Sequence, residues 1–151
     1  MGGALPRVVV AGTGGDSGKT LVSLGLAAAY CAQGLRVAPY KKGPDYIDAA
    51  WLTQAARRPA RNLDSFLMGE ETVLRSLRAN AAGCDVAIVE GNRGLFDGYR
   101  GASTAALART IDAPVLLVLD VTKVTRTAAA FVAGCRVLDP DLRIGGVIAN
   151  R

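Results

Sequence analysis

The sequence predicts an α/β fold, a parallel sheet flanked by helices and of the phosphate-loop NTPase type, and three observations carry that expectation. Short apolar runs suited to strands alternate with stretches of helical pattern, as crossover units in a parallel sheet require. The stretch Gly12-Thr13-Gly14-Gly15-Asp16-Ser17-Gly18-Lys19-Thr20 stands between the first such run and the first helical pattern, the context that a phosphate-binding loop needs. The chain of 151 residues is also one domain's worth, enough to bury a core.

Strands are expected at Arg7–Ala11, Arg36–Tyr40, Asp85–Glu90, Val115–Asp120 and Ile144–Asn150. Helices are expected between them at Lys19–Gln33, Ala49–Ala56, Glu71–Ala82, Ser103–Ile111 and Thr125–Leu138. Gly34 is a stop signal for the first helix, and Ser103 and Thr125 have the chemistry of helix caps. No repeat, low-complexity tract or linker interrupts the pattern. Arg151 comes directly after what reads as a fifth parallel strand with no helix to follow, so the expectation is a fragment truncated after that strand.

The strand ends of such a sheet gather on one edge, where ligands bind, so each loop that follows a strand is a place to look for chemistry. In the first loop, Gly14, Gly15, Asp16, Ser17 and Gly18 let backbone N–H groups turn onto a polyphosphate. Lys19 supplies a charge to the β- and γ-phosphates and Thr20 a hydroxyl to Mg²⁺. The strict pattern has glycine where Thr13 stands; here Gly12 and Gly14 flank that position. The second loop, Tyr40-Lys41-Lys42-Gly43-Pro44-Asp45-Tyr46-Ile47-Asp48, exposes two lysines and two carboxylates on a rigid Gly-Pro turn. Phosphoryl transfer rests on positioning and charge neutralisation, so Lys41 is a candidate cation beside the γ-phosphate and Asp45 a candidate Mg²⁺ ligand. A turn or helix-cap role for either aspartate is the alternative.

The third strand is read as delivering Glu90 at its tip, a further Mg²⁺ candidate, directly or through water. Glycines at 91, 94, 98 and 101 make the next loop permissive, and Arg93 and Arg100 in it have the chemistry to meet substrate carboxylates. Asp97 sits inside that loop. Asp120 closes the fourth strand and reads as a helix cap or a contact to the site, the cap being favoured. Asn150 ends the fifth, where its amide has the groups to read an adenine edge.

Composition excludes several classes of chemistry. The absence of histidine removes Ser-His-Asp and Cys-His catalysis and every histidine metal site. Cys31, Cys84 and Cys135 are widely spaced in apolar or helical contexts and read as reduced, buried small hydrophobes. The net charge of +5 comes from 18 basic and 13 acidic residues without a dense basic run, which suits an anionic small substrate better than nucleic acid. The apolar runs are far shorter than the ~20 residues of a membrane span. Met1-Gly2-Gly3-Ala4-Leu5-Pro6 lacks the blocks of a signal peptide, so a cytoplasmic location is expected.

Together the phosphate loop, Lys41-Lys42-Gly43-Pro44-Asp45-Tyr46-Ile47-Asp48, Arg61-Asn62-Leu63-Asp64, Glu90-Gly91-Asn92-Arg93-Gly94-Leu95-Phe96-Asp97-Gly98 and Ala113–Asp120 resemble the cobyrinic acid a,c-diamide synthase family. The resemblance runs nearly the length of the chain, in order. It implies a two-domain enzyme whose dethiobiotin synthetase-like N-terminal part uses ATP to phosphorylate a substrate carboxylate, after which ammonia displaces phosphate to give an amide. Ammonia would come from glutamine in a C-terminal glutaminase domain, which this chain lacks. By the same resemblance, the phosphate loop and Lys41 hold ATP, and Thr20, Asp45 and Glu90 surround Mg²⁺. Asp48 and Asp97 lie near the reacting carboxylate or its phosphorylated form, Lys19 and Lys41 serve the transfer, and Asn150 matches an adenine-recognising asparagine.

The implied partner is an acidic tetrapyrrole, cobyrinic acid with its a- and c-acetates foremost, with neither nucleic acid nor membrane and with a homodimer left open. Asn92-Arg93 and the polar stretch Thr122–Thr127 depart from the corrinoid members, which keeps sirohydrochlorin, its nickel complex and sirohaem as alternatives. The isolated fragment is expected to be inactive. The rival of another class is a partitioning or positioning ATPase that uses nucleotide as a dimerisation switch, but its signature lysine is replaced here by Gly14. A stand-alone dethiobiotin synthetase-like ligase is a third reading.

Overall fold

A computed structural model describes residues 5–151; the first four residues of the segment read above for a signal peptide lie outside the described range. Six strands form one parallel sheet: β1 (Arg7–Gly12), β2 (Val37–Lys42), β3 (Arg61–Leu63), β4 (Val86–Gly94), β5 (Val115–Asp120) and β6 (Ile144–Asn150). Their spatial order is β3-β2-β4-β1-β5-β6, every neighbouring pair parallel. Six helices connect them: α1 (Lys19–Ala32), α2 (Ile47–Ala56), the single turn α3 (Ser65–Met68), α4 (Glu70–Asn80), α5 (Thr104–Thr110) and α6 (Thr127–Leu138). None of these helices is long and apolar enough to cross a membrane.

Buried strands alternate side chains between two helical layers. Val10, Val37, Ile88 and Val118 pack with Ala27 of α1 and Ala56 of α2 on one face. On the other, larger face, Tyr40, Val89, Leu107 and Leu117 join Val73 and Leu77 of α4 and Cys135 of α6. Tyr40, fully buried, donates its hydroxyl proton to the Leu77 carbonyl (2.8 Å), which satisfies the phenol inside the apolar layer. Burial pushes its pKa up to about 12.

The alternation expected from the sequence is present, with one omission and several shifted ends. β3 was not expected, being three residues long, and the strand read as the fifth is therefore the sixth. The second strand runs two residues past Tyr40, through Lys41 and Lys42, and α2 begins two residues before Ala49. Gly34 ends α1 in the left-handed region (φ 85°), and Ser103 caps α5 by accepting the Ala106 N–H (3.1 Å). Thr125 does not cap: α6 starts at Thr127 with no side-chain cap at its N-terminus. Asp120 is no cap either, since it accepts the Thr122 N–H (2.9 Å) and hydroxyl in a tight turn and faces Arg151 (3.5 Å). The three cysteines are free; Cys135 is buried, whereas Cys31 and Cys84 are half-buried.

Candidate nucleotide and substrate site

The phosphate loop joins the central strand β1 to α1, and its shape explains how Gly12 serves in place of the missing glycine at 13. A side chain at Gly12 would put its Cβ 2.1 Å from the Ser17 hydroxyl oxygen, so only glycine lets the loop fold over the strand end. Gly18 takes φ 95° and opens α1 without a side-chain cap, and no acidic residue occupies the first turn. The first amides of that helix are left for an anion. They border a cavity of about 240 Å³ lined by Asp16, Gly18, Lys19, Thr20 and Arg151. Lys19 is buried and donates from Nζ to the Gly14 carbonyl (2.8 Å). Burial, aided by Lys41, lowers its pKa below the usual lysine value.

Beside the loop lies a charged cluster that the sheet register builds. Lys41 of β2 and Glu90 of β4 are register partners, so both side chains stand on the α1–α2 face. Glu90 is wholly buried and Lys41 nearly so. Lys41 Nζ donates to Glu90 Oε1 (3.0 Å), Asp48 Oδ2 (2.6 Å) and the Gly91 carbonyl (3.1 Å). Thr20 donates its hydroxyl to the same Glu90 Oε1 (2.6 Å), which ties the cluster to the phosphate loop. Burial raises the Glu90 carboxyl above its usual range despite Lys41. Burial opposes the Lys41 charge too, but Glu90 and Asp48 outweigh it and hold that ammonium above its usual value. Asp48 is opposed by its own burial, yet Lys41 keeps it below the usual carboxylate range.

The structure thus gathers Lys19, Thr20, Lys41, Asp48 and Glu90. Glu90 is not at a strand tip, as the sequence suggested, but inside β4, which continues to Gly94. Asp45 takes the cap role kept open for it: its Oδ1 accepts the Ile47 (2.9 Å) and Asp48 (3.1 Å) N–H groups, leaving Oδ2 3.8 Å from Lys41 Nζ. Asp97 accepts the Gly94 N–H (2.9 Å) in the glycine-rich loop. Arg93 is not in that loop, as the sequence suggested, but exposed near the end of β4, whereas Arg100 stands over the Tyr99 ring (5.3 Å). Asn150 donates its amide to the Ser17 carbonyl (3.0 Å) across from Gly18, so it braces the phosphate loop.

Two supporting roles escaped the sequence reading, although Asn62 lies in one of the quoted motifs. Asn62 donates to the carbonyls of Gly43 (2.6 Å) and Asp45 (2.8 Å), which fixes the second loop from β3. Thr104 brackets Asn92, donating to its carbonyl and accepting its N–H (both 3.2 Å). Neither role carries a local signal, because Asn62 reaches from β3 to the loop after β2 and Thr104 from α5 to β4.

Mg²⁺ is implied for a phosphate-loop site, and the cluster offers a partial donor set. Glu90 Oε2 is buried without a hydrogen-bond partner, and Thr20 supplies a hydroxyl beside it; both are hard oxygen donors. Among the described residues no group of three or more His, Cys, Asp or Glu side chains is arranged to hold a metal alone. That fits an ion whose remaining ligands are phosphate oxygens and water.

On the opposite face of β2 opens a larger cavity, about 670 Å³, whose lining includes Lys42, Asp64, Phe66, Arg93, Asp97 and Tyr99. Phe66 and Tyr99 meet edge to face (centroids 5.2 Å apart). The cavity thus joins aromatic rings to the cationic groups of Lys42 and Arg93.

The family model described as "CbiA: CobQ/CobB/MinD/ParA nucleotide binding domain" matches residues 8–151. The chain belongs to this family. It is 49% identical to the hydrogenobyrinate a,c-diamide synthase of Streptomyces coelicolor, over 99% of this chain and 32% of that protein. It is 50% identical to the cobyrinate a,c-diamide synthase of Magnetococcus marinus, over 97% of this chain and 32% of the relative. The chain therefore spans about a third of the length of these curated relatives, and the resemblance to diamide synthases read from its motifs is borne out. Solved structures of lower identity share the fold. The signal recognition particle 54 kDa protein of Aeropyrum pernix, in complex with GDP, superposes with TM-score 0.69 at 19% identity, over 100% of this chain and 36% of that one. Chloroplast FtsY of Physcomitrella patens gives 0.62 at 21% identity, over 100% and 51%.

Proposed function

We propose that this chain is the ATP-binding amidoligase module of a cobyrinate or hydrogenobyrinate a,c-diamide synthase. The observation that carries the reading is identity near one half to such synthases over almost the whole chain, loops included. The geometry supports it. One sheet edge holds an anion-ready helix start, a buried Lys41–Glu90 pair and a cavity with cationic and aromatic walls.

In this reading ATP lies along the phosphate loop, with Lys19 leaving the Gly14 carbonyl to meet the β- and γ-phosphates. Thr20 and Glu90, with Asp45 nearby, would hold Mg²⁺, which supplies neutralisation of the phosphate charge. Lys41, held by Glu90, Asp48 and the Gly91 carbonyl, would release one of these acceptors to donate to a γ-phosphoryl oxygen. A side-chain carboxylate of the macrocycle attacks the γ-phosphorus, the bond to ADP breaks, and an acyl phosphate forms. Ammonia then attacks the acyl carbon, inorganic phosphate leaves and a proton passes to solvent or a carboxylate, yielding the amide. Asp97 and Asp48 would orient the carboxylate and the incoming amine. Asn150 and Gly18 shape the end of the site near the adenine.

The ammonia source in this reading is glutamine, hydrolysed by a glutaminase domain elsewhere in a polypeptide of the relatives' length. Both domains would be cytoplasmic. The test is amidation of cobyrinic acid by the complete protein with ATP, Mg²⁺ and glutamine, followed by mass spectrometry. Two mass decreases of one unit each, one per carboxylate converted to amide, are expected. ATP-dependent dimerisation without amidation of any acidic tetrapyrrole would instead favour a partitioning-type switch.

A further inference from the structure

Lys42 is a buried charged residue that the mechanism leaves unused. It follows Lys41 on β2, and strand alternation turns it to the opposite face, away from Glu90 and the phosphate loop. It is buried to 8% exposure and lines the cavity of about 670 Å³. Asp64 shares that lining, but its Oδ1 accepts the N–H groups of Phe66 (2.9 Å) and Leu67 (3.3 Å) at the start of α3. Among the described residues Lys42 makes no ion pair and no side-chain hydrogen bond, unlike Lys41 with its three partners. Its stem is buried while its ammonium opens on the cavity without a partner, and this burial lowers its pKa although Asp64 opposes the shift. Such a group is retained where a ligand supplies the missing anion. Arg93 lines the same cavity, and Phe66 and Tyr99, their rings 83° apart, offer it an aromatic corner.

We propose that Lys42 is a specificity-determining residue that binds a substrate carboxylate other than the one being amidated. The ligand class is a large molecule with an apolar body and several carboxylate arms. One arm reaches across the sheet edge toward Lys41 while another pairs with Lys42, and Arg93 at the rim adds attraction. Lys41 and Lys42 thereby divide the work. The first meets the phosphoryl group on one face, and the second holds the body of the substrate on the other. The inference rests on the function proposed above, and its test separates the two.

The experiment uses the complete protein and its Lys42→Met and Lys42→Gln variants. Equilibrium binding of cobyrinic acid is followed by its visible absorbance, alongside KM for cobyrinic acid, KM for ATP, kcat and Tm. Loss of a charge-assisted contact predicts about 10- to 100-fold weaker binding and a correspondingly higher KM for cobyrinic acid in both variants. KM for ATP stays unchanged, and Tm in Lys42→Met stays equal or rises because an unpaired cation has gone. Unchanged tetrapyrrole binding in the variants of an active protein overturns the inference. So does a fall in Tm accompanied by loss of both KM values, or failure of both variants to fold, since Lys42 would then be structural. Lys42-dependent binding without amidation would leave this inference standing and sink the proposed reaction. Absence of both binding and amidation by the unaltered protein would sink both.

Discussion

Replacing Lys41 by methionine removes the cation paired directly with Glu90 and Asp48 and, at 3.8 Å, with Asp45. Its Nζ is 3.0 Å from Glu90 Oε1 and 2.6 Å from Asp48 Oδ2, and the Glu90 side chain is 0% exposed. Removing one partner of a buried pair costs about 3–5 kcal/mol, because the other charge stays behind without compensation. At this chain size 1 kcal/mol moves Tm by roughly 2–4 °C, so a fall of about 6–20 °C is expected near pH 7.5. The sign of the pH dependence follows from the carboxylate that remains. Glu90 already has its pKa raised above 4.5 in the folded state, and without Lys41 it rises further. The folded variant therefore binds a proton that the unfolded chain releases, and its deficit grows as pH rises from 4.5 through the folded value. Below 4.5 both states are protonated and this part of the deficit disappears. Lys41 itself, raised above 10.5, stabilises the unaltered protein at every pH below that value and ceases to do so as pH climbs through its folded pKa. The assay is thermal unfolding by circular dichroism at about pH 7.5 and about pH 5. The gap between the unaltered and Lys41→Met proteins is expected to narrow at the lower pH, and Lys41→Met/Glu90→Gln to recover most of the loss. Equal deficits at both pH values, or a double variant no better than the single, would refute the buried-pair account.

Three other substitutions separate the parts of the site. Lys19→Ala is expected to reduce ATP turnover by at least about 10²- to 10³-fold, read as phosphate release, because the γ-phosphate loses its loop cation. Asp97→Asn is expected to leave nucleotide affinity largely intact, measured with a fluorescent ATP analogue, while impairing amidation; equal loss of nucleotide affinity in both variants would contradict the roles assigned. Gly18→Ala places a Cβ 2.2 Å from the Asn150 amide nitrogen at a φ of 95°, so Asn150 must leave the Ser17 carbonyl. The strain and the lost bond are expected to cost about 1–3 kcal/mol of stability and to weaken nucleotide binding, and unchanged urea unfolding would count against that packing.

Much of this arrangement was legible in the sequence because it follows local rules. The phosphate loop announces itself by glycine spacing between a strand and a helix, and the alternation of patterns dictates a parallel sheet. What stayed hidden depends on partners distant in sequence. β3 is three residues long, and Arg61, its first, is exposed, so no periodicity marks it. Lys41 and Lys42 read as loop residues because lysines seldom lie in a buried strand. Only the pairing with Glu90 across the register makes Lys41 tolerable there. Asp45 looks like a metal ligand and also like a cap, and the early start of α2 decides for a cap at Oδ1. Thr125 and Asp120 have the residue types of caps, but α6 begins beyond both.

The central claim is that this sheet edge transfers the γ-phosphoryl group of ATP to a substrate carboxylate. It is tested most directly by supplying the complete protein with cobyrinic acid labelled with ¹⁸O in its carboxylates, together with ATP and an ammonia source. One ¹⁸O atom is expected in inorganic phosphate for each amide formed, because the oxygen that attacks phosphorus leaves with it. Amide formation with unlabelled phosphate, or ATP hydrolysis with no amide and no label, would contradict the account.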